Sequence, residues 1–367
     1  MPPPREKGKI LDEIVNGKGK QAKFRKKFAK NKERNWLLAL TLNSFAKVDE
    51  GESLSDVENT IVEAAREAGL GEDEIKEHGR LYKQLPEQAR RDFFPGKFAQ
   101  FNSKTKYTAD ELKSDLPRIE ESIFRQPNAV NIDLEAIHAG EAHERDFPLP
   151  SKEVLAEYGG SAILRAVAPN STPPNPTYTI KAVEFLCNDE TLVDWWGSDE
   201  PYWIFNSTTG VAVTTSRSHI FKDAEAVDTG TKRSFLPTEG CLWGPTCAPS
   251  DFPGGEIGVH IELWEHDYGD PAEIQKYVGW AFSGAAAVLK LFGATSWIGT
   301  VVDAVGSVIV WFLGFIDEDH IGDWTFVFTR QVLEDRLVKV GNVWTQRPRF
   351  TDGDGDYTLT VSAQRFA

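Results

Sequence analysis

Three acidic stretches hold the residues best suited to chemistry. "CNDETLVDWWGSDEPYWIF" offers Asp189, Glu190, Asp194, Asp199 and Glu200; "WEHDYGD" offers Glu265, Asp267 and Asp270; "DEDHIGDW" offers Asp317, Glu318, Asp319 and Asp323. Each adjoins a stretch of alternating apolar and polar residues, so the acids fall at strand ends. Carboxylates crowded at one end of a sheet repel one another, and a hard divalent cation such as calcium, which takes roughly six to eight oxygen ligands, relieves that repulsion. The alternative is ordinary turn chemistry, because Asp and Gly are the residues turns use.

Smaller clusters promise less. In "TDGDGDYTLTV", Asp352, Asp354 and Asp356 alternate like the start of an EF-hand loop, but the Glu at the twelfth position is missing, so a tight hairpin turn is expected. "HAGEAHERD" sets His138 and His143 five residues apart, about 140° around a helix, where a helical zinc pair stands four apart; surface histidines near a helix end are expected instead. "AVDTGTK" at Asp228 resembles an aspartic-protease loop, whose chemistry needs a second carboxylate to share one proton, and no second copy exists. Gly-x-Ser-x-Gly, Walker and HExxH motifs are absent, so the sequence gives no basis for an enzyme. Cys187, Cys241 and Cys247 form neither a CxxC nor a Cys/His zinc spacing; Cys241 and Cys247 are near enough to pair across a loop, which the odd count leaves open.

The elements that must position the acids are six alternating stretches: "YTIKAVEFLC", "PYWIFNS", "GVAVTTS", "GVHIELWEH", "DWTFVFTRQVL" and "DYTLTVSAQRF". Short strands at such spacing favour a β-sandwich beginning near residue 178. Ahead of it, "APNSTPPNPTY" has linker composition, so 161–177 is assigned as a Pro-rich linker. Residues 36–160 show helical periodicity, with capping-box starts at Ser55 with Glu58 and Thr108 with Glu111, and a last helix in "SKEVLAEYGG" stopped by Gly159 and Gly160. Residues 1–35 form a leader rich in Lys, Arg and Gly, in which Phe24 and Phe28 lie four apart among lysines. A solvated, poorly ordered leader is expected; a short basic amphipathic helix able to touch anionic surfaces is the other reading. The fold class is α+β: an N-terminal helical domain followed by an antiparallel β-sandwich.

The sandwich stretch resembles the C2 family, whose eight-stranded sandwiches bind calcium between loops at one end. The family's first binding loop typically ends in an Asp-Pro-Tyr strand start, matched by "SDEPYWIF" with one extra Glu. Its third typically runs from a strand through Asp-x-Asp to Asp-x-Ile-Gly, matched in two halves by "IELWEHD" and "DHIGDWTFVF". The resemblance covers about residues 178–367 and implies calcium ligands at Asp189 and Asp199 from the first loop, with Glu265, Asp267 and Asp319 from the other. Glu265 stands where an Asp is expected, and roughly 50 residues separate the two halves of the last loop, against fewer than about six in an ordinary hairpin.

Those residues include the apolar run "GWAFSGAAAVLKLFGATSWIGTVVDAVGSVIVWFLGFI", which predicts an α-hairpin inserted over 272–316. It splits at Gly293 to Ser296 into two helices of about seventeen residues, just long enough to span a bilayer. Gly299, Asp303, Gly306, Val310 and Gly314 form a small-residue stripe suited to close packing, and Lys290 is expected to neutralise Asp303. The aromatic edge of Trp280, Phe282, Phe292, Trp297, Trp311 and Phe312 either fills a core or is concealed until it inserts into a membrane.

A formal charge of -15 argues against a nucleic-acid partner. "MPPPREKGKI" has no apolar signal region, so export would need another route, and the chain is otherwise cytoplasmic until delivered. The expected function is calcium-dependent action on membranes, as in a pore-forming toxin or secreted effector whose hairpin inserts. The alternative is a calcium-stabilised binding or structural module that does not insert. The expected partner is an anionic lipid surface, with the helical domain available to a protein.

Overall fold

Ser55 and Thr108 open helices as their spacing predicts: each side chain accepts from the backbone N–H three residues on, and Glu58 and Glu111 reach back to the cap's own N–H. The computed structural model describes residues 7–366 apart from 19–21, 31, 134–149, 166–175, 192–198, 210–212, 252–255, 267–270, 293–297 and 316–318. Its helices, in chain order, are α1 (Lys7–Asn16), α2 (Ala22–Lys30), α3 (Trp36–Glu50), α4 (Asp56–Glu67), α5 (Glu72–Gln84), α6 (Glu87–Phe93), α7 (Ala109–Phe124), α8 (Lys152–Tyr158), α9 (Pro271–Phe292), α10 (Ile298–Gly314) and α11 (Arg330–Arg336). The strands are β1 (Ala129–Asp133), β2 (Gly160–Arg165), β3 (Thr177–Asp189), β4 (Pro201–Thr208), β5 (Val213–Arg217), β6 (Lys232–Ser234), β7 (Cys241–Trp243), β8 (Ser250–Asp251), β9 (Glu256–Glu265), β10 (Asp319–Thr329), β11 (Val343–Gln346), β12 (Arg349–Thr351) and β13 (Asp356–Arg365). They form two compact units, one of residues 1–126 and 267–319, the other of 127–266 and 320–367.

The helical unit is built on two helices buried on every side. In α3, every residue from Trp36 to Lys47 is buried, and in α10 all seventeen are. A helix apolar all round belongs in a core. The amphipathic α4 and α5 bury Val57, Ile61, Ile75 and Leu81 and leave most of their charges outside; Glu58 is the exception, fully buried and ion-paired with buried Lys47 of α3. α9 packs on α4 and on α10, and α10 packs on α3. The hairpin counted with the sandwich in sequence order is thus the core of the helical unit, because its apolar surface finds its partners in α3 and α4.

The leader differs from its expected disorder. Ile10, Leu11 and Ile14 of α1 and Phe24 and Phe28 of α2 are buried, and Phe28 lies 6.0 Å from Trp311 and 5.9 Å from Phe93 between ring centroids. The four-residue spacing of the phenylalanines makes one apolar stripe, and burying it outweighs the cost of ordering a basic segment.

The second unit has two sheets. One runs β1-β2-β10-β9-β4-β5; the other runs β11-β13-β3-β6, with β12 on β13 and β7 and β8 on β3. The β4–β9, β4–β5 and β3–β13 pairings are antiparallel, whereas β1–β2 and β2–β10 are parallel. Residues 160–165, assigned to linker and the end of the helical domain, are therefore a strand, and β1 belongs to this unit too. One core joins the sheets: Ile180 and Phe185 of β3, Trp203 and Phe205 of β4, Ile261 and Leu263 of β9, and Tyr357 and Leu359 of β13. Phe185 and Trp203 sit 5.5 Å apart. Cys241 and Cys247 are disulfide-bonded, and Cys187 is buried and free, its thiol pushed up to about 12 by burial first and then by Asp199 and Glu190.

Candidate functional site

Strand register brings acids to one end of the sandwich unit. β3 ends at Asp189, which is opposite Asp356 at the start of β13, and β9 ends at Glu265 opposite Pro201 at the start of β4. Asp199 precedes β4 and forms an isolated bridge with Val227. Asp199 and Glu265 are both buried, 2% and 4% exposed. Thr191 connects them: its N–H donates to Asp199 Oδ2 at 2.9 Å, its hydroxyl donates to Asp199 Oδ1 at 2.7 Å, and the same Oγ1 lies 3.4 Å from Glu265 Oε2. The Tyr357 hydroxyl also donates to Asp199. Burial, and then the charge of Asp199, push the Tyr357 phenol far above its ordinary range, so it stays a donor.

The crowding has an electrostatic signature in Glu190. Its carboxyl is pushed up, first by burial and then by the charges of Asp199, Asp228 and Asp189. Two cations sit on the same end. Lys152 lies 3.5 Å from Asp356 and 4.0 Å from Asp189, and Arg349 donates to both oxygens of Asp356. Burial alone would raise the Asp356 carboxyl, but its hydrogen bond and charge pairing with Arg349 hold it low. Asp356 is therefore an ion-pair residue, and its neighbour Asp352 is a turn residue. Asp352 Oδ1 accepts from the N–H groups of Asp354 and Gly355, closing the β12–β13 hairpin that the sequence predicts.

Of the five expected ligands, the fold thus brings Asp199 and Glu265 together. Asp189 stands at the same end with a side chain 56% exposed. Asp319 is buried at the first position of β10, next to β9 in sheet order. Asp267 lies outside the described residues, as do Asp194, Asp270, Asp317, Glu318, His138 and His143. Among the described residues, no group of three or more Asp, Glu, His or Cys side chains is placed to hold a metal ion. The oxygen donors suit calcium chemically, and the described part of the site is short of a full ligand set.

Four of the six expected insertion residues, Trp280, Phe282, Trp311 and Phe312, are buried here, as a core hairpin and a concealed one both require. Trp280 stacks on Phe45 at 5.7 Å and meets Phe312 edge-on at 4.6 Å; Phe312 also packs on Tyr277 and His78. Phe282 and Trp311 are fully buried. The side chain of Phe292, and Trp297, lie outside the described residues. Lys290 is exposed and does not neutralise Asp303; the buried Asp303 pairs instead with buried Arg34, Nε to Oδ2 at 3.0 Å, and Arg34 Nε also donates to the Asp303 carbonyl at 2.9 Å. No described helix is long and apolar enough to cross a membrane.

A polar group in the six-stranded sheet escaped the sequence reading. His260, Glu262 and Trp264 alternate along β9 on the face opposite Ile261 and Leu263, and all three are fully buried. His260 Nε2 lies 2.9 Å from Glu262 Oε1, His260 Nδ1 lies 3.0 Å from Thr325 Oγ1, and the Trp264 indole donates to Glu262 Oε2 at 2.7 Å. The alternation in "HIELW" was visible, but it reads as a solvent-facing side.

No family model and no curated protein matches the chain. Among solved structures, a C2 domain of plant extended synaptotagmin 1 aligns at 6% identity over 53% of this chain and 97% of that one, with a TM-score of 0.24. Human GIVD cytosolic phospholipase A2 aligns at 8% identity over 54% of this chain, with a TM-score of 0.24, and only 16% of the phospholipase chain is spanned. Likenesses at this level establish no shared fold.

Proposed function

We propose that this chain is a non-catalytic, lipid-associating binding protein whose sandwich unit takes calcium at its acidic end and whose apolar hairpin remains part of the fold. The observation that supports it most is the pair of buried carboxylates, Asp199 and Glu265, converging on the Thr191 hydroxyl. Two carboxylates placed so closely at a loop-rich end suit a hard cation. Asp199 and Glu265 would hold the ion, with Asp189, Asp267 and Asp319 as the further ligands implied by the C2 resemblance. Bound calcium would turn an anionic end into one able to meet the phosphate oxygens of a lipid headgroup. The rival expectation, an inserting toxin, would require the helical unit to give up α10, which it buries along its whole length.

Calcium and chelator separate the outcomes. At about 100 times its Kd, a ligand bound only to the folded state stabilises by about 2.7 kcal/mol, so the thermal midpoint should rise in calcium. Asp189→Asn, at an exposed position, should lose part of the rise without lowering the midpoint in chelator, and Asp199→Asn should lose most of it. Co-sedimentation with phosphatidylserine vesicles should increase with calcium. An unchanged midpoint and unchanged sedimentation in calcium would overturn the reading.

A further inference from the structure

A second feature sits at the other end of β13. Asp356 marks the acidic end and Gln364, paired with Val343, the opposite one, about 26 Å away along the strand. There the turn between α11 and β11 exposes Val338 at 67% and Val340 at 64%, the first residue of β11, Val343, is 55% exposed, and Phe366, one residue past the end of β13, is 42% exposed. Scattered apolar side chains on a surface are ordinary, but four at one sheet end form a patch.

The segment is held in shape. Asn342 N–H donates to the Lys339 carbonyl at 3.0 Å, and Asn342 Oδ1 accepts from Lys339 N–H at 2.7 Å. Gly341, with φ of 86°, takes the left-handed position of a type II turn, which sets Val340 at its outer corner. Gly341 N–H donates to the Arg365 carbonyl at 2.8 Å, and the Arg365 guanidinium donates to the carbonyls of Leu337 and Val338 at 3.3 and 3.4 Å. The valines are therefore presented by a braced turn.

The turn's one charged side chain, Lys339, is opposite in sign to the net charge of the chain. Lys339 lies between Val338 and Val340, exposed and without an ion pair among the described residues, while Arg336, over the Trp344 ring at 5.9 Å, and Arg365 flank it. The nearby Glu334 is paired with Arg330 at 2.7 Å, and Asp335 is half-buried. Cationic side chains around an apolar tip, on a chain of net charge -15, match a surface whose outer layer is anionic and whose interior is apolar. We propose that the Leu337–Val343 turn docks on anionic lipid bilayers without calcium, the valines entering the headgroup boundary and Lys339 meeting the phosphates, with Arg336 and Arg365 adding positive charge beside it.

The full chain, in chelator, is floated with vesicles of phosphatidylcholine alone and of phosphatidylcholine with phosphatidylserine. The wild type should bind the anionic vesicles and lose that binding in high salt. Val338→Asp with Val340→Asp should weaken it about tenfold, and Lys339→Glu should weaken it on anionic vesicles alone. All three positions are exposed, and an unchanged thermal midpoint for each variant shows the fold is kept. No binding in chelator, or equal binding by the valine variant, overturns the proposal. So does concentration-dependent self-association of the wild type that the valine substitutions abolish, since a second copy would then be the occupant. Because this arm contains no calcium, its result is separate from that of the acidic end.

Discussion

His78 shows how one residue can set a pH response. Its ring is fully buried, 4.3 Å from Phe312 and 5.6 Å from Phe315, and neither ring nitrogen has a hydrogen-bond partner among the described residues. Burial first, then the charges of Lys7 and Lys276, hold its pKa well below the ordinary 6.5. Both lysines are themselves paired, Lys7 with Glu77 at 2.9 Å and Lys276 with Glu74 at 2.7 Å. The folded chain thus keeps His78 neutral where the unfolded chain binds a proton. Since stability rises with pH wherever the unfolded state binds more protons, this residue's effect is flat above about pH 7.5. It costs up to about 1.4 kcal/mol per pH unit as pH falls below 6.5. Urea unfolding of the wild type and His78→Phe across pH 5 to 8 should show the two curves diverging only on the acid side, with the variant the flatter. Parallel curves would remove His78 from the account.

Elements hold together through pairs that no local pattern announces. Arg34, just after α2, and Asp303 of α10 are 269 residues apart in sequence and form an ion pair in which both side chains are buried. A buried pair contributes little against apolar replacements, but removing one partner strands a charge at about 3–5 kcal/mol. Arg34→Ala should lower stability by about that amount, and Arg34→Met with Asp303→Leu should recover most of it, read as urea midpoints with an unchanged slope. If the double substitution is as damaging as the single one, the pair does more than neutralise. Val305, fully buried in α10, gives a second check. Val305→Asp places an unpaired carboxylate in the core of the helical unit and should cost at least as much as Arg34→Ala.

At the scale of the whole molecule, binding to lipid and perforation of lipid come apart. Releasing the hairpin would expose Trp280, Trp311 and Phe312 together with Phe28 and Phe45, which now pack on them. Wild-type chain bound to anionic vesicles at pH 7 should therefore release no trapped dye with or without calcium, and dye release would restore the inserting reading. The sequence by itself determined what short range controls. The capping boxes at Ser55 and Thr108, the turn at Asp352 and the period-two strands are decided by bonds and side-chain directions within a few residues. The acids were legible at strand ends for the same reason, because register follows from alternation. Only the tertiary structure decided that the helices Pro271–Phe292 and Ile298–Gly314 complete a helical core, that residues 160–165 form a parallel strand, and that Asp303 pairs with Arg34 and not Lys290. It alone buried the polar face of β9 at His260 and Glu262. Each of these depends on which distant surface an element meets, and an apolar or alternating stretch has the same pattern whichever partner excludes its water.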